Sequence, residues 1–199
     1  MGNGSSVGTR MAISAVADMM PLNQPQLIEL RNASFRRAVK PSRQSKEKNM
    51  TFRREDLCDA MDEIDLDFND KDVLEHLYTM WDKSGQNKVD VLYFFSGISS
   101  LACATMDVES KLYFAFEIFD VDNTGRMKRK DAKKIFNGIN STASYFGDAV
   151  LSTKAIDVLV DDVYKDQSEI FFEEYMDLFA EHPAIVQFTS CGGTVKYNA

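Results

Sequence analysis

The chain has 199 residues, 44% of them hydrophobic, with a formal net charge of −8. That is enough apolar content to bury a core as one domain or two small lobes, and no run approaches the roughly 20 apolar residues that a membrane span needs. Three cysteines, Cys58, Cys103 and Cys191, form no C-x-x-C pair, so neither a disulfide framework nor a zinc knuckle is indicated and a cytoplasmic protein with reduced thiols is expected.

Residues 1–24 read as a flexible segment. It opens on MGNGSS, which matches the Met-Gly-x-x-x-Ser/Thr pattern for myristoylation of Gly2, with Ser6 at the required place. Residues 1–56 carry ten Lys and Arg against five Asp and Glu, and most of that positive charge falls in residues 31–54. Such a stretch attracts an anionic membrane surface or an acidic partner, and it is the second signal that a single acyl chain would need. The plainer alternative is a solvated face. Nucleic acid is not expected as a partner, because the rest of the chain is acidic and repels phosphate.

From residue 25 onward the chain repeats itself. Leu27, Leu30, Phe35 and Val39 are spaced as one face of a helix; a loop at 45–56 follows with Phe52 at its eighth place, and Leu57, Ala60, Met61 and Ile64 form a second helical face. The next copy has Leu74, Leu77, Tyr78 and Trp81, a loop at 82–93 with Val89 at the eighth place, then Phe94, Ile98 and Leu101. A third has Leu112, Ala115, Phe116 and Phe119, a loop at 120–131 with Met127, then Ile135, Phe136 and Ile139. In the fourth, Ala155, Val158 and Leu159 precede a loop at 163–174 with Ile170, and Tyr175, Leu178 and Phe179 follow. The pattern predicts an all-α protein whose four helix-loop-helix units pair into two lobes, at 25–101 and 108–180, with a tail at 181–199. Short strands are expected to join the units of each pair through Phe52, Val89, Met127 and Ile170.

The third loop, DVDNTGRMKRKD, carries the densest local signature. A calcium loop of twelve residues supplies oxygens at places 1, 3, 5, 7, 9 and 12 and turns sharply at a glycine in place 6. Asp120, Asp122 and Thr124 offer side-chain oxygens, Gly125 makes the turn, and Arg126 offers its backbone carbonyl. Place 9 is Lys128, which offers none. Place 12 is Asp131, one methylene shorter than the glutamate that chelates with both oxygens, so weak calcium binding or six-coordinate magnesium is expected. The other loops have lost ligands. Tyr93 holds place 12 of the second, although Asn87 tolerates the left-handed turn there. Val163 and Lys165 hold places 1 and 3 of the fourth despite Glu174 at place 12, and the first loop is basic with Met50 at the turn.

A helix, a twelve-residue loop and a helix, repeated around DVDNTG, resembles the EF-hand calcium-sensor superfamily over about residues 25–180. The segment VLYFFSGISSLACATMDVESKLYFAFEIFDVDNTG and the tail EHPAIVQFTSCGG resemble the branch that contains neuronal calcium sensors, calcineurin B and calaxin. The resemblance implies a non-catalytic regulatory subunit, with at most one weak calcium or magnesium site, that binds an amphipathic helix of a partner protein. It leaves open a constitutive structural adaptor of the ciliary axoneme, docking outer dynein arms in the manner of calaxin with little or no dependence on metal. Ten methionines and fourteen phenylalanines suit helix capture as well as core filling. No enzyme is expected. His76 and His182 have no nucleophile placed near them by any motif, and the carboxylates around Cys58 should raise its thiol pKa.

Overall fold

The computed structural model describes residues 22–41, 49–102, 107–145, 150–183 and 185, apart from the side chains of Phe68, Ser100 and Leu101. These residues are mostly helical, with two small antiparallel sheets. In chain order they form α1 (Gln24–Arg37), β1 (Thr51–Phe52), α2 (Arg54–Glu63), α3 (Phe68–Trp81), β2 (Val89–Asp90), α4 (Val91–Ala102), α5 (Val108–Phe119), β3 (Arg126–Lys128), α6 (Arg129–Tyr145), α7 (Thr153–Tyr164), β4 (Glu169–Phe171) and α8 (Phe172–Ala180).

Local chemistry fixes where the helices start. Asn23 and Gln26 exchange backbone and side-chain hydrogen bonds of 3.0 and 3.1 Å at the head of α1. Asp67, Asp107 and Ser152 cap α3, α5 and α7 through side-chain oxygens. Each satisfies an amide that the first turn would otherwise leave without a partner.

The four eighth-place residues pair as the repeat predicts. Phe52 faces Val89 across β1 and β2, and Met127 faces Ile170 across β3 and β4; all four are buried. Both sheets share one further device. Tyr78, from the helix before β2, donates to the Phe52 carbonyl at 3.0 Å, and Tyr164, from the helix before β4, donates to the Met127 carbonyl at 3.1 Å.

Two apolar clusters form the core. One gathers α1 to α4 around Phe52, Tyr78, Trp81, Phe94 and Phe95, whose rings meet edge to face or stack. The other gathers α6 to α8 around Phe136, Tyr164, Tyr175 and Phe179. Helix α5 serves both, sending Phe114 and Ile118 into the first and Leu112, Ala115 and Phe116 into the second. A tight crossing of α4 and α6 joins the clusters. A Cβ on Gly97 would run into the Trp81 ring, one on Gly138 would run into the Ser96 hydroxyl, and the Thr142 hydroxyl donates to the Gly97 carbonyl at 3.1 Å.

Periodicity misjudged a few positions. Val39 lies beyond the end of α1, bridges to Thr51 and is exposed, and Leu178 is also exposed. On α7 the buried face includes Ile156 and Val160, which the spacing overlooked, while Val158 is only half-buried.

Candidate metal centre

Loop 120–131 is built from the end of α5, the strand β3 and the first turn of α6. The Asp120 amide closes the last turn of α5 on the Phe116 carbonyl at 2.9 Å. Its carboxylate then organises the turn: Oδ1 accepts from the Thr124 amide at 2.7 Å and the Thr124 hydroxyl at 2.8 Å, and Oδ2 accepts from the Gly125 amide at 2.7 Å. Gly125 has φ +66°, the left-handed conformation that place 6 requires. Downstream, the Gly125 carbonyl accepts from the Phe172 amide at 3.0 Å, which ties the turn to β4 and α8.

The remaining predicted ligands are less gathered. Asp122 is exposed. The Arg126 side chain reaches across to β4, with Nη1 2.5 Å from Glu169 Oε1 and the guanidinium 4.6 Å from the centre of the Phe171 ring. Asp131 lies half-buried in the first turn of α6, and among the described residues its carboxylate accepts no hydrogen bond. Among the described residues no three His, Cys, Asp or Glu side chains converge closely enough to hold an ion by themselves. Asp120 and Thr124 are brought together by their hydrogen bonds, and Asp131 lines the same cavity as Asp120 and Asp122. Two carboxylates, a hydroxyl and a backbone carbonyl beside a glycine turn are nevertheless a donor set of the kind that hard divalent cations take, with water completing the shell.

The other loops sharpen the comparison. Loop 82–93 has the same two amide bonds and takes its hydroxyl from place 3 instead of place 5: Asp82 accepts from the Gln86 amide at 3.2 Å, the Asn87 amide at 2.7 Å and the Ser84 hydroxyl at 3.1 Å. Asn87 takes φ +55°, as its type allows. Its side chain does more than the sequence suggested, because Oδ1 accepts from the Arg54 amide at 2.9 Å and Nδ2 donates to Glu55 at 3.0 Å, clamping the loop to α2. In the fourth loop α7 continues through Tyr164, so the first two places lie within the helix and Val163 is core. Glu174, the acid at its place 12, accepts from the Phe171 amide at 3.1 Å and so caps α8. Residues 45–48 of the first loop lie outside the described residues, as do Gly2 and the tail beyond 185. Asp56, at place 12 of that loop, caps α2 through the Arg53 amide at 2.8 Å. Asp131 thus differs from Asp56 and Glu174 in having no capping bond to hold it.

Much of the basic stretch 31–54 is committed internally. Arg36 and Arg37 both pair with Glu63, and Arg54 pairs with Glu75. Arg31 is buried. A cavity of about 710 Å³ separates α1 from loop 120–131, lined by Phe35, Arg36 and Lys40 on one side and by Asp120, Asp122 and Asp131 on the other.

The Cys58 thiol is pushed up to about 11 by burial first and by Glu75 second, with Asp62 a smaller contributor. The direction agrees with the sequence reading. The cause does not, because the decisive carboxylate comes from α3 rather than from its own helix. His76 is exposed on α3 with Nδ1 2.7 Å from the Asp72 carbonyl, and His182 Nε2 lies 3.6 Å from Asp162.

No protein-family model matches the chain.

Proposed function

We propose that the chain is a non-catalytic regulatory subunit of EF-hand type, four helix-loop-helix units in two pairs, that binds an amphipathic helix of a partner protein. Loop 120–131 is its one weak calcium or magnesium site. The observation that supports this reading is the Asp120 carboxylate organising a glycine turn beside the Thr124 hydroxyl. Asp120, Asp122, Thr124, the Arg126 carbonyl and Asp131 would hold the ion, and water would fill the vertex that Lys128 leaves open.

Calcium titration by calorimetry in millimolar magnesium tests the site. The Asp131→Glu variant is expected to bind calcium more tightly than wild type, because the longer side chain reaches toward Asp120 from the first turn of α6 with both oxygens. Equal affinities would remove the geometric explanation for a weak site.

A second reading, the constitutive adaptor, has support of its own. Loop 82–93 keeps the same kind of turn, with Asn87 at φ +55° and Tyr93 in place of an acid. A fold held this way needs no ion to persist. The surface offered to a partner includes Tyr113, Phe171 and Leu178, which are exposed on α5, β4 and α8.

Membrane attachment through Gly2 remains a separate proposal. None of the described helices is long and apolar enough to cross a membrane, and Arg36 and Arg37 are shared with Glu63, which leaves less of 31–54 for anionic lipid.

A further inference from the structure

Arg31 is 6% exposed, on the inner face of α1. Its Nη1 donates to the Glu117 carbonyl, and Nε and Nη2 donate to Asn32 Oδ1 at 3.2 and 2.9 Å. The Glu117 carbonyl belongs to the last turn of α5, where carbonyls have no partner within the helix and the helix dipole is negative. Asp120 leaves that same turn to begin the metal loop. Burial lowers the guanidinium pKa, while the charges of Glu117 and Asp120 oppose that shift. The buried cation and the place-1 carboxylate thus act on one another.

We propose that Arg31 is an internal counter-cation of loop 120–131, setting the loop's affinity for a divalent ion and linking its occupancy to the seating of α1. This inference rests on the reading of that loop as a metal site. A divalent ion on Asp120 places positive charge near a guanidinium that solvent screens poorly, since exposed charges are damped by water and salt while buried ones are not. The ion therefore weakens the hold of Arg31 on the end of α5. By linkage, Arg31 weakens the ion by the same factor. Helix α1 belongs to the first apolar cluster through Leu27, Leu30 and Ala33, whereas the loop is anchored in the second through Met127. The guanidinium gives the ion influence over a helix that carries none of its ligands. Arg36, which lines the cavity between α1 and loop 120–131, is exposed and paired with Glu63, so its charge is better screened.

The experiment uses the full chain as wild type, Arg31→Met and Arg31→Lys. Calcium affinity is read by calorimetry, and hydrogen exchange of residues 24–37 is followed with and without calcium. Arg31→Met, which removes the charge and keeps the bulk, is expected to bind calcium about fivefold or more tightly, and Arg31→Lys is expected to stay near wild type. Calcium should speed exchange in α1 of wild type and leave α1 of Arg31→Met unaffected. Calcium binding of equal strength in wild type and Arg31→Met overturns the inference and leaves the metal site standing. Binding by wild type with unchanged exchange in α1 overturns the link to α1, and this arm needs no variant to fold. Calcium binding to none of the three proteins overturns the metal reading and the inference with it.

Discussion

Replacing Asp120 by alanine is expected to abolish calcium binding and to destabilise the protein even without metal. The carboxylate accepts from two amides and a hydroxyl within one turn, and the variant leaves all three donors to water. Hydrogen bonds to a charged acceptor contribute about 1.5–3 kcal/mol each when sheltered. The loop is largely exposed, so a total of about 1–2 kcal/mol is expected, or a fall of roughly 2–8 °C in Tm for a chain of this size. Asp82→Ala is the matched control, because Asp82 likewise accepts from two amides and a hydroxyl in loop 82–93. It should lower Tm by a similar amount and leave calcium binding intact. Calorimetry and thermal unfolding on both variants separate the two effects. Calcium binding that survives Asp120→Ala and disappears in Asp82→Ala would place the ion in loop 82–93 and contradict the account.

The second large effect is expected at the crossing of α4 and α6. An added Cβ at Gly97 meets the rigid Trp81 ring and comes within 2.8 Å of the Thr142 hydroxyl, so Gly97→Ala must push the helices apart. Overpacking of this kind costs about 1–3 kcal/mol, and a gain of up to about 1 kcal/mol in helix propensity offsets part of it. Gly138→Ala chiefly displaces the Ser96 hydroxyl, which can rotate, and should cost less. Trp81 is the single tryptophan of the chain and its indole N–H is buried with no partner among the described residues, so its fluorescence reports the crossing directly. Gly97→Ala is expected to lower Tm and shift emission to the red, with Gly138→Ala nearer wild type. Unchanged emission and Tm in Gly97→Ala would mean that the two clusters are not held by this contact.

What the sequence conveyed follows from what burial imposes on spacing. Phe52, Val89, Met127 and Ile170 were legible because each must be apolar to sit inside a two-stranded pair. The turn at Gly125 was legible because few residues adopt its backbone conformation. Other features leave no such mark. Gly97 and Gly138 are small, and a close helix crossing built from small residues carries no amphipathic signal. Arg31 stands in a basic run that reads as solvated, and only the tertiary approach of α5 shows where its charge goes. Val163 and Tyr164 fall at the first two places of a twelve-residue loop by spacing, yet their burial extends α7 over them and shortens that loop. The reach of Asp131 toward Asp120 is a matter of ångströms, which residue spacing does not encode.

The proposal that metal at loop 120–131 governs partner binding is tested most directly by a pull-down from cell or ciliary extract in calcium, in magnesium alone and in chelator, repeated with Asp120→Ala. A cation that favours the partner-bound form must tighten partner binding by the factor with which the partner tightens the cation, and one with no preference changes nothing. The account predicts a partner recovered more strongly with calcium by wild type and without calcium dependence by Asp120→Ala. The same partner recovered equally under every condition by both proteins would contradict it and leave a constitutive adaptor.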